Sequence, residues 1–259
     1  FDERSYVEME KALRKVLEVK KGRLAELRAV LAGGKEPEFG QAPDIQHIPG
    51  LNASQVAAIR ETLAARDVAV IHGPPGTGKT TTIVQAVKVL CQTENTVLVC
   101  APSNAAVDLL TERLAAQGLF VVRIGNISRV DESIISHTLE ALAAAHPESK
   151  NVKKVRIQAA ESRRQARRFR RQFGSEERSE RRQLLEEASQ LAAWADALED
   201  RIIEQILDGA QVVTATLVGA AQKVLDKRHF RTLVIDEASQ ALEPASWIPI
   251  AKASRVILT

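Results

Sequence analysis

Aromatic side chains are scarce in this sequence of 259 residues, where six Phe, two Trp and one Tyr make up 3% of the chain. A surface built to stack bases on rings would need more of them, so charge would have to dominate any contact with a single strand. Cysteine is rarer still. Cys91 and Cys100 each lie in an apolar stretch, with no second Cys or His at metal-ligand spacing. That excludes a disulfide framework and a zinc module, and it suits a reducing compartment. No apolar run approaches the roughly 18 residues of a membrane span, and Phe1-Asp2-Glu3-Arg4 lacks the basic-then-apolar form of a secretion signal. The expected location is therefore the cytoplasm or nucleus, with no membrane contact. With 45% hydrophobic and 27% charged residues the composition is that of a globular protein. The length allows one large domain, or one with a sizeable insertion.

Net charge conceals an uneven distribution. The whole chain carries only +3, yet the segment from Lys150 to Arg182 holds 13 basic against 4 acidic side chains. A basic stripe on an otherwise mildly acidic chain suits a polyanion, because each neutralised phosphate releases counterions. A solvated helical face is the more common origin of such a run.

Periodicity divides the chain. From Tyr6, apolar residues at Met9, Leu13, Val16, Leu24, Leu27 and Leu31 follow steps of three and four or their sums. This predicts one amphipathic helix within residues 1–34, ended by Gly33-Gly34. A linker over 35–50 carries Pro37, Pro43 and Pro49, and a second helix opens with Asn52 or Ser54 as its N-cap. Short β-rich runs then alternate with helices or turns: Val68–Ile71, Val97–Cys100, Phe120–Ile124, Val212–Thr214, Leu233–Ile235 and Val256–Leu258. Near-continuous apolar strands alternating with helices predict a parallel sheet covered on both faces, an α/β fold with ligands beyond the carboxyl ends of its strands. Between the third and fourth strands, at about 130–208, lies a helical excursion. Val152, Val155, Ala159, Ser162, Ala166, Phe169 and Phe173 keep helical spacing, as do Leu184, Ala188, Leu191, Ala195, Leu198 and Ile202 after Gly174-Ser175. Two such helices should form an antiparallel hairpin with its arginines facing away from the seam.

The chemistry gathers at two strand ends. Gly73-Pro74-Pro75-Gly76-Thr77-Gly78-Lys79-Thr80 follows the first strand and opens a helix, the setting in which G-x-x-x-x-G-K-[ST] is a phosphate-binding loop. Glycines let successive amides point at phosphate oxygens, and the helix start adds its positive dipole end. Lys79 should reach the β- and γ-phosphates and Thr80 should ligate Mg²⁺. The fifth strand ends in Asp236-Glu237. Asp236 is placed to hold the metal, and Glu237 to orient and deprotonate an attacking water.

These motifs, Gly73 to Thr81, Ala101-Pro102-Ser103-Asn104-Ala105-Ala106-Val107-Asp108 and Asp236-Glu237-Ala238-Ser239-Gln240, occur in an order that closely resembles the Upf1-like branch of superfamily 1 helicases. Within it the immunoglobulin-mu-binding-protein type is the most similar. The resemblance runs from about Leu51 to Thr259 and implies a RecA-like P-loop NTPase domain, the first of two motor domains, with a stalk helix before it and the hairpin as an accessory insertion. It also implies binding of ATP and Mg²⁺ by Gln55, Gly73, Gly76, Thr77, Gly78, Lys79, Thr80 and Thr81, with Gln55 reading adenine. Gln240 would link the γ-phosphate to a neighbouring motif. Ser103 and Asn104, with Thr214 and Thr216 after the fourth strand, would grip the backbone of single-stranded RNA or DNA. The family's next motif and its second RecA-like domain with the arginine fingers are expected beyond Thr259, so the sequence is expected to be part of a longer, monomeric protein that moves 5′ to 3′. The alternative is an ATP-binding scaffold of a ribonucleoprotein that does not unwind. In either case the face formed by Arg163, Arg164, Arg167, Arg168, Arg170 and Arg171 is a candidate for added electrostatic affinity.

Overall fold

The computed structural model describes residues 3–74, 76–167 and 174–259. They form two compact units, one within residues 3–138 and 209–259 and one within residues 139–208.

The first unit is built on six parallel strands: β1 (Val68–Val70), β2 (Val97–Ala101), β3 (Val121–Ile124), β4 (Val212–Thr216), β5 (Phe230–Ile235) and β6 (Ala253–Leu258). Their order across the sheet is β1-β6-β5-β2-β4-β3. Every residue of β2 is buried, and Val97, Leu98 and Val99 have no exposed surface, as befits a strand covered on both faces. Flanking it in sequence are α4 (Lys79–Leu90) and α5 (Asn104–Ala116). Val87, Leu90, Leu110 and Leu114 of these helices pack with Val99, Val121, Val234 and Ile257 of the sheet into one core. The parallel direction brings the ends of β1, β5, β2 and β4 to a single carboxyl edge, which is where the motifs lie.

At the N-terminus the predicted single helix is two, α1 (Glu3–Glu18) and α2 (Arg23–Leu31). Gly22 adopts φ 91, a backbone conformation that glycine enters without penalty, and breaks the helix there. The Arg28 guanidinium folds back to the Val16 and Leu17 carbonyls at 2.5 and 3.2 Å, satisfying groups that α1 leaves without partners at its end. Apolar spacing continues through the break because both helices bury one face, Met9, Ala12 and Val16 in α1 and Leu27 in α2. The segment 35–50 is pinned by Asp67, which accepts the Glu38 amide at 2.9 Å and pairs with Arg23 at 2.5 Å. Burial works against the Asp67 carboxylate, but the Glu38 amide and the Arg23 guanidinium outweigh it and hold the pKa below the ordinary value. Helix α3 (Ala53–Ala64) opens with a capping box, in which Asn52 accepts the Gln55 amide and Gln55 accepts the Asn52 amide, both at 2.9 Å.

The second unit contains α6 (Leu139–Ala145), α7 (Ser149–Arg167) and most of α8 (Ser175–Gly209). Helix α7 buries Val152, Val155, Ala159, Ser162 and Ala166, while α8 buries Ala188, Ala195 and Ile202. These are the spaced positions that the sequence marks. Arg156 of α7 pairs with Asp196 and Glu199 of α8, a link between the two helices. Phe169 and Phe173 lie outside the described residues. Residues 130–138 belong to the first unit, in 3₁₀ turns that follow β3, so the compact insertion starts later than periodicity suggests.

Candidate functional site

Strand β1 stays beside β6 as far as Ile71, whose amide bonds the Leu258 carbonyl at 2.8 Å, and the chain then turns through the glycine-rich loop into α4. Gly76 and Gly78 both sit at φ 81, where a Cβ would cost about 1–2 kcal/mol. At Gly78 space is a second constraint, since a Cβ would lie 2.7 Å from the Gln55 side-chain nitrogen. A Cβ at Gly73 would meet the Thr77 hydroxyl at 2.9 Å. Within the loop, Thr77 donates to the Pro74 carbonyl at 2.8 Å, and the Lys79 ammonium lies over the carbonyls of Gly73 and Pro74 at 2.6 and 3.2 Å. The first-turn amides of α4, at Lys79, Thr80 and Thr81, have no carbonyl within the helix to bond and carry its positive dipole end. Gln55 reaches the loop from α3, donating to the Thr77 carbonyl at 3.1 Å.

Opposite the loop, Asp236 follows β5 and is 5% exposed. Its Oδ1 accepts the Thr259 hydroxyl at 2.6 Å and the Glu237 amide at 3.0 Å. Its Oδ2 has only the Thr80 hydroxyl at 3.5 Å, at the limit of hydrogen bonding. A buried carboxylate oxygen so weakly engaged, beside a hydroxyl, fits a hard divalent cation such as Mg²⁺. Among the described residues no group of three His, Cys, Asp or Glu could form a complete metal cage.

Glu237 stands out in the backbone. It is the only non-glycine among the described residues with positive φ, at 54°. Three main-chain amides donate around this turn: Glu237 to the Asp236 side-chain carboxylate, Ala238 to the Thr259 carbonyl at 2.7 Å, and Gln240 to the Glu237 carbonyl at 2.9 Å. Left-handed backbone at a residue with a Cβ costs about 1–2 kcal/mol and persists where surrounding contacts impose it. Glu237→Gly should therefore stabilise the protein by roughly 0.5–1 kcal/mol once the extra unfolded-state freedom of glycine is subtracted, read as a higher urea midpoint. Glu237→Val should lower it, and equal stability of the two variants would show that the turn stores no strain. Gln240 is exposed, at the end of the short turn Ala238–Gln240.

The residues expected to contact a nucleic acid lie at the ends of β2 and β4. Ser103 is exposed and caps α5 by accepting the Ala106 amide at 3.1 Å. Asn104 is half-buried, and its side-chain oxygen accepts from Arg123 at 2.8 Å. Thr216 ends β4 and accepts the Gly219 amide at 3.0 Å. Thr214 requires a correction. It has no exposed surface, and its hydroxyl shares a 2.7 Å hydrogen bond with Thr111 of α5, so it fastens that helix to the sheet and cannot touch a ligand. In the second unit Arg163, Arg164 and Arg167 are exposed, with Arg164 3.5 Å from Glu161. Arg168, Arg170 and Arg171 lie outside the described residues.

Two groups at the site were passed over in the sequence. Thr259 reaches Asp236 because β6 lies between β1 and β5, a strand order that sequence does not reveal. Arg123 did leave a signal, as one charge inside the apolar run Val121-Val122-Arg123-Ile124.

Residues 50–259 match a family described as an AAA domain. The chain is 35% identical to the DNA-binding protein SMUBP-2 of Mesocricetus auratus over 260 residues, which cover 98% of this chain and 26% of that protein. It is 35% identical to the DNA polymerase alpha-associated DNA helicase A of Schizosaccharomyces pombe over 210 residues, 80% of this chain and 31% of that protein. A regulator of nonsense transcripts 1 homolog of Neurospora crassa is 37% identical over 213 residues, 79% of this chain and 17% of its own length. The chain thus spans about a quarter of the SMUBP-2 relative. With a phosphate loop and an Asp-Glu turn on one edge of an all-parallel sheet, and these similarities, the chain belongs to the AAA domain family and carries the N-terminal, RecA-like motor domain of the Upf1-like branch of superfamily 1 helicases.

Proposed function

We propose that this chain is the ATP-binding half of a helicase or translocase motor that moves 5′ to 3′ on single-stranded RNA or DNA. In this reading a second RecA-like domain of the same, monomeric protein closes over the nucleotide, and the protein works in the cytoplasm or nucleus.

One observation carries the proposal: the acidic turn after β5 and the Ser103-Asn104 segment after β2 stand on adjacent strands of the sheet edge that also bears the phosphate loop. The Asp236 amide bonds the Cys100 carbonyl at 2.9 Å, three residues before Ser103. A shift at the acidic turn would thereby be felt at the start of α5. Lys79 would exchange the Gly73 and Pro74 carbonyls for the β- and γ-phosphates, with the first-turn amides of α4 completing the cradle. Thr80 and Asp236 would hold Mg²⁺, which neutralises charge that develops on the transferred phosphoryl group. Glu237 would accept a proton from the attacking water, and Gln240 would contact the γ-phosphate. The Gln55 amide keeps one proton and one lone pair beyond its bonds to Thr77 and Asn52, enough for a paired contact with adenine. Ser103, Asn104 and Thr216 would hold phosphate or sugar groups, contacts that position a strand without reading its sequence. Exposed arginines of α7, including Arg163, Arg164 and Arg167, would add affinity for the strand through charge.

The names of the relatives, a DNA-binding protein and a DNA helicase among them, support this reading. The test is ATP hydrolysis by the full-length protein with and without a single-stranded oligonucleotide. Stimulation of tenfold or more is the expected result. Tight ATP binding with no stimulation by RNA or DNA would replace the motor with a scaffold.

A further inference from the structure

Arg123 is the bulkiest of the side chains with no exposed surface, and it lies in an edge strand of the sheet. Burying a guanidinium there is costly unless every partner is in place. Each of its three nitrogens has an acceptor. The Nε group donates to Asp108 Oδ1 at 3.0 Å, one terminal nitrogen donates to the Ile124 carbonyl, and the other donates to Asn104 Oδ1 at 2.8 Å. Asp108 is completed on its second oxygen by the Asp131 amide at 3.1 Å. The cluster sits at the N-terminal end of α5, beneath an open cleft of about 550 Å³ lined by Asn104, Asp108, Ser128 and Arg129.

An asparagine amide can present either its oxygen or its NH₂ to a ligand, and a free Asn104 would do both. A guanidinium only donates, so the face that Asn104 turns toward Arg123 must be the oxygen. The NH₂ group is thereby turned the other way and offered as a donor, the polarity that a phosphate or sugar oxygen requires. We propose that Arg123 is a positioning residue for nucleic-acid binding, which locks Asn104 in its donor-outward orientation without touching the strand itself. The inference rests on the role of Asn104 proposed above.

Gly125 shows how closely the guanidinium is packed. A Cβ at this position would stand 2.6 Å from one terminal nitrogen of Arg123 and 3.2 Å from its central carbon. The backbone of Gly125 is not left-handed, so a side chain there is opposed by the guanidinium, which would have to shift, rather than by conformation.

The test measures the oligonucleotide concentration that half-saturates stimulated ATP hydrolysis in the full-length protein, for Arg123→Lys, Gly125→Ala, Asn104→Ala and the Arg123→Lys/Asn104→Ala pair. Lysine keeps the charge beside Asp108 but lacks the fork that serves three acceptors at once. Gly125→Ala keeps the arginine and displaces it, so one informative variant remains if the buried lysine does not fold. Loss of one hydrogen bond of ordinary strength predicts that each single variant raises the half-saturating concentration by roughly five- to tenfold. The effect should fall on that concentration rather than on the maximal stimulated rate, and the double variant should bind no worse than Asn104→Ala alone. If Asn104→Ala weakens binding while Arg123→Lys and Gly125→Ala do not, or if the effects of Arg123→Lys and Asn104→Ala multiply, the positioning role is overturned and Arg123 is structural. If Asn104→Ala itself binds normally, the assignment of Asn104 fails first and the inference falls with it.

Discussion

Strand-stimulated ATP hydrolysis by the full-length protein should fall by about two to three orders of magnitude in both Glu237→Gln and Lys79→Ala, the usual loss when one preorganised transition-state group is removed. The two variants should differ in what they bind. Glu237 follows a buried carboxylate and is held by main-chain bonds around its turn, so glutamine leaves the phosphate cradle intact while removing the proton acceptor. ATP affinity should remain near that of the parent. Lys79 is the cation of the loop, with its ammonium 2.6 Å from the Gly73 carbonyl. Its removal deletes a charge-assisted contact to phosphate and should weaken ATP binding by about ten- to a hundredfold. Titration with a fluorescent ATP analogue and single-turnover hydrolysis separate the two effects. Stimulated turnover that survives in Glu237→Gln would remove this residue as the base, and unchanged affinity in Lys79→Ala would show that the loop is not the phosphate site.

Why some of this architecture can be read from sequence and some cannot follows from the range over which each signal acts. Glycine spacing in the phosphate loop is local. Gly76 and Gly78 need φ 81, and Gly73 and Gly78 need room beside Thr77 and Gln55, all within a few residues or one neighbouring helix. Parallel strands are equally visible, because burial on both faces demands unbroken apolar runs such as Val97–Ala101. Strand order is a long-range property. Nothing near Ala253–Leu258 marks it for the place between β1 and β5, and so the bond from Thr259 to Asp236 stayed hidden. The misreading of Thr214 has a similar cause. Motif likeness identified Thr214 and Thr216 together, yet one lies under α5 against Thr111 and the other ends the strand. Periodicity misled at the first helix because α1 and α2 each bury a face, and a count of apolar steps does not register a turn in which Gly22 changes the direction of the chain. The hairpin seam was legible for the opposite reason, since its burial repeats along two continuous helices.

The largest loss of stability should come from a site remote from the chemistry, in Glu94→Ala. Glu94 follows the C-terminal end of α4 and is 7% exposed, and its Oε1 accepts from Arg255 of β6 at 2.6 Å and from the Thr232 hydroxyl of β5 at 2.9 Å. Arg255, at 8% exposure, also donates to the Leu63 and Ala65 carbonyls at 3.3 and 3.1 Å. Burial lowers the pKa of Arg255, and Glu94 is the partner that opposes this shift. Truncating the glutamate leaves a cation in a site from which water is excluded, so the cost is that of an uncompensated buried charge, about 3–5 kcal/mol. Glu94→Gln should cost less, because an amide oxygen can still accept from Arg255 and Thr232. Replacing both charges, as in Glu94→Leu/Arg255→Met, should recover much of the loss, since desolvation of the pair offsets most of its attraction. Urea unfolding of the three variants measures the series, and a loss below about 1 kcal/mol for Glu94→Ala would place the pair with ordinary surface bridges. The consequence reaches the nucleotide site through β6. Arg255 lies three residues before Leu258, whose carbonyl holds the Ile71 amide at the entry to the phosphate loop, and four before Thr259, whose hydroxyl holds Asp236. A destabilised β6 should therefore weaken ATP binding in Glu94→Ala well before the domain unfolds, and the double replacement should restore both properties together.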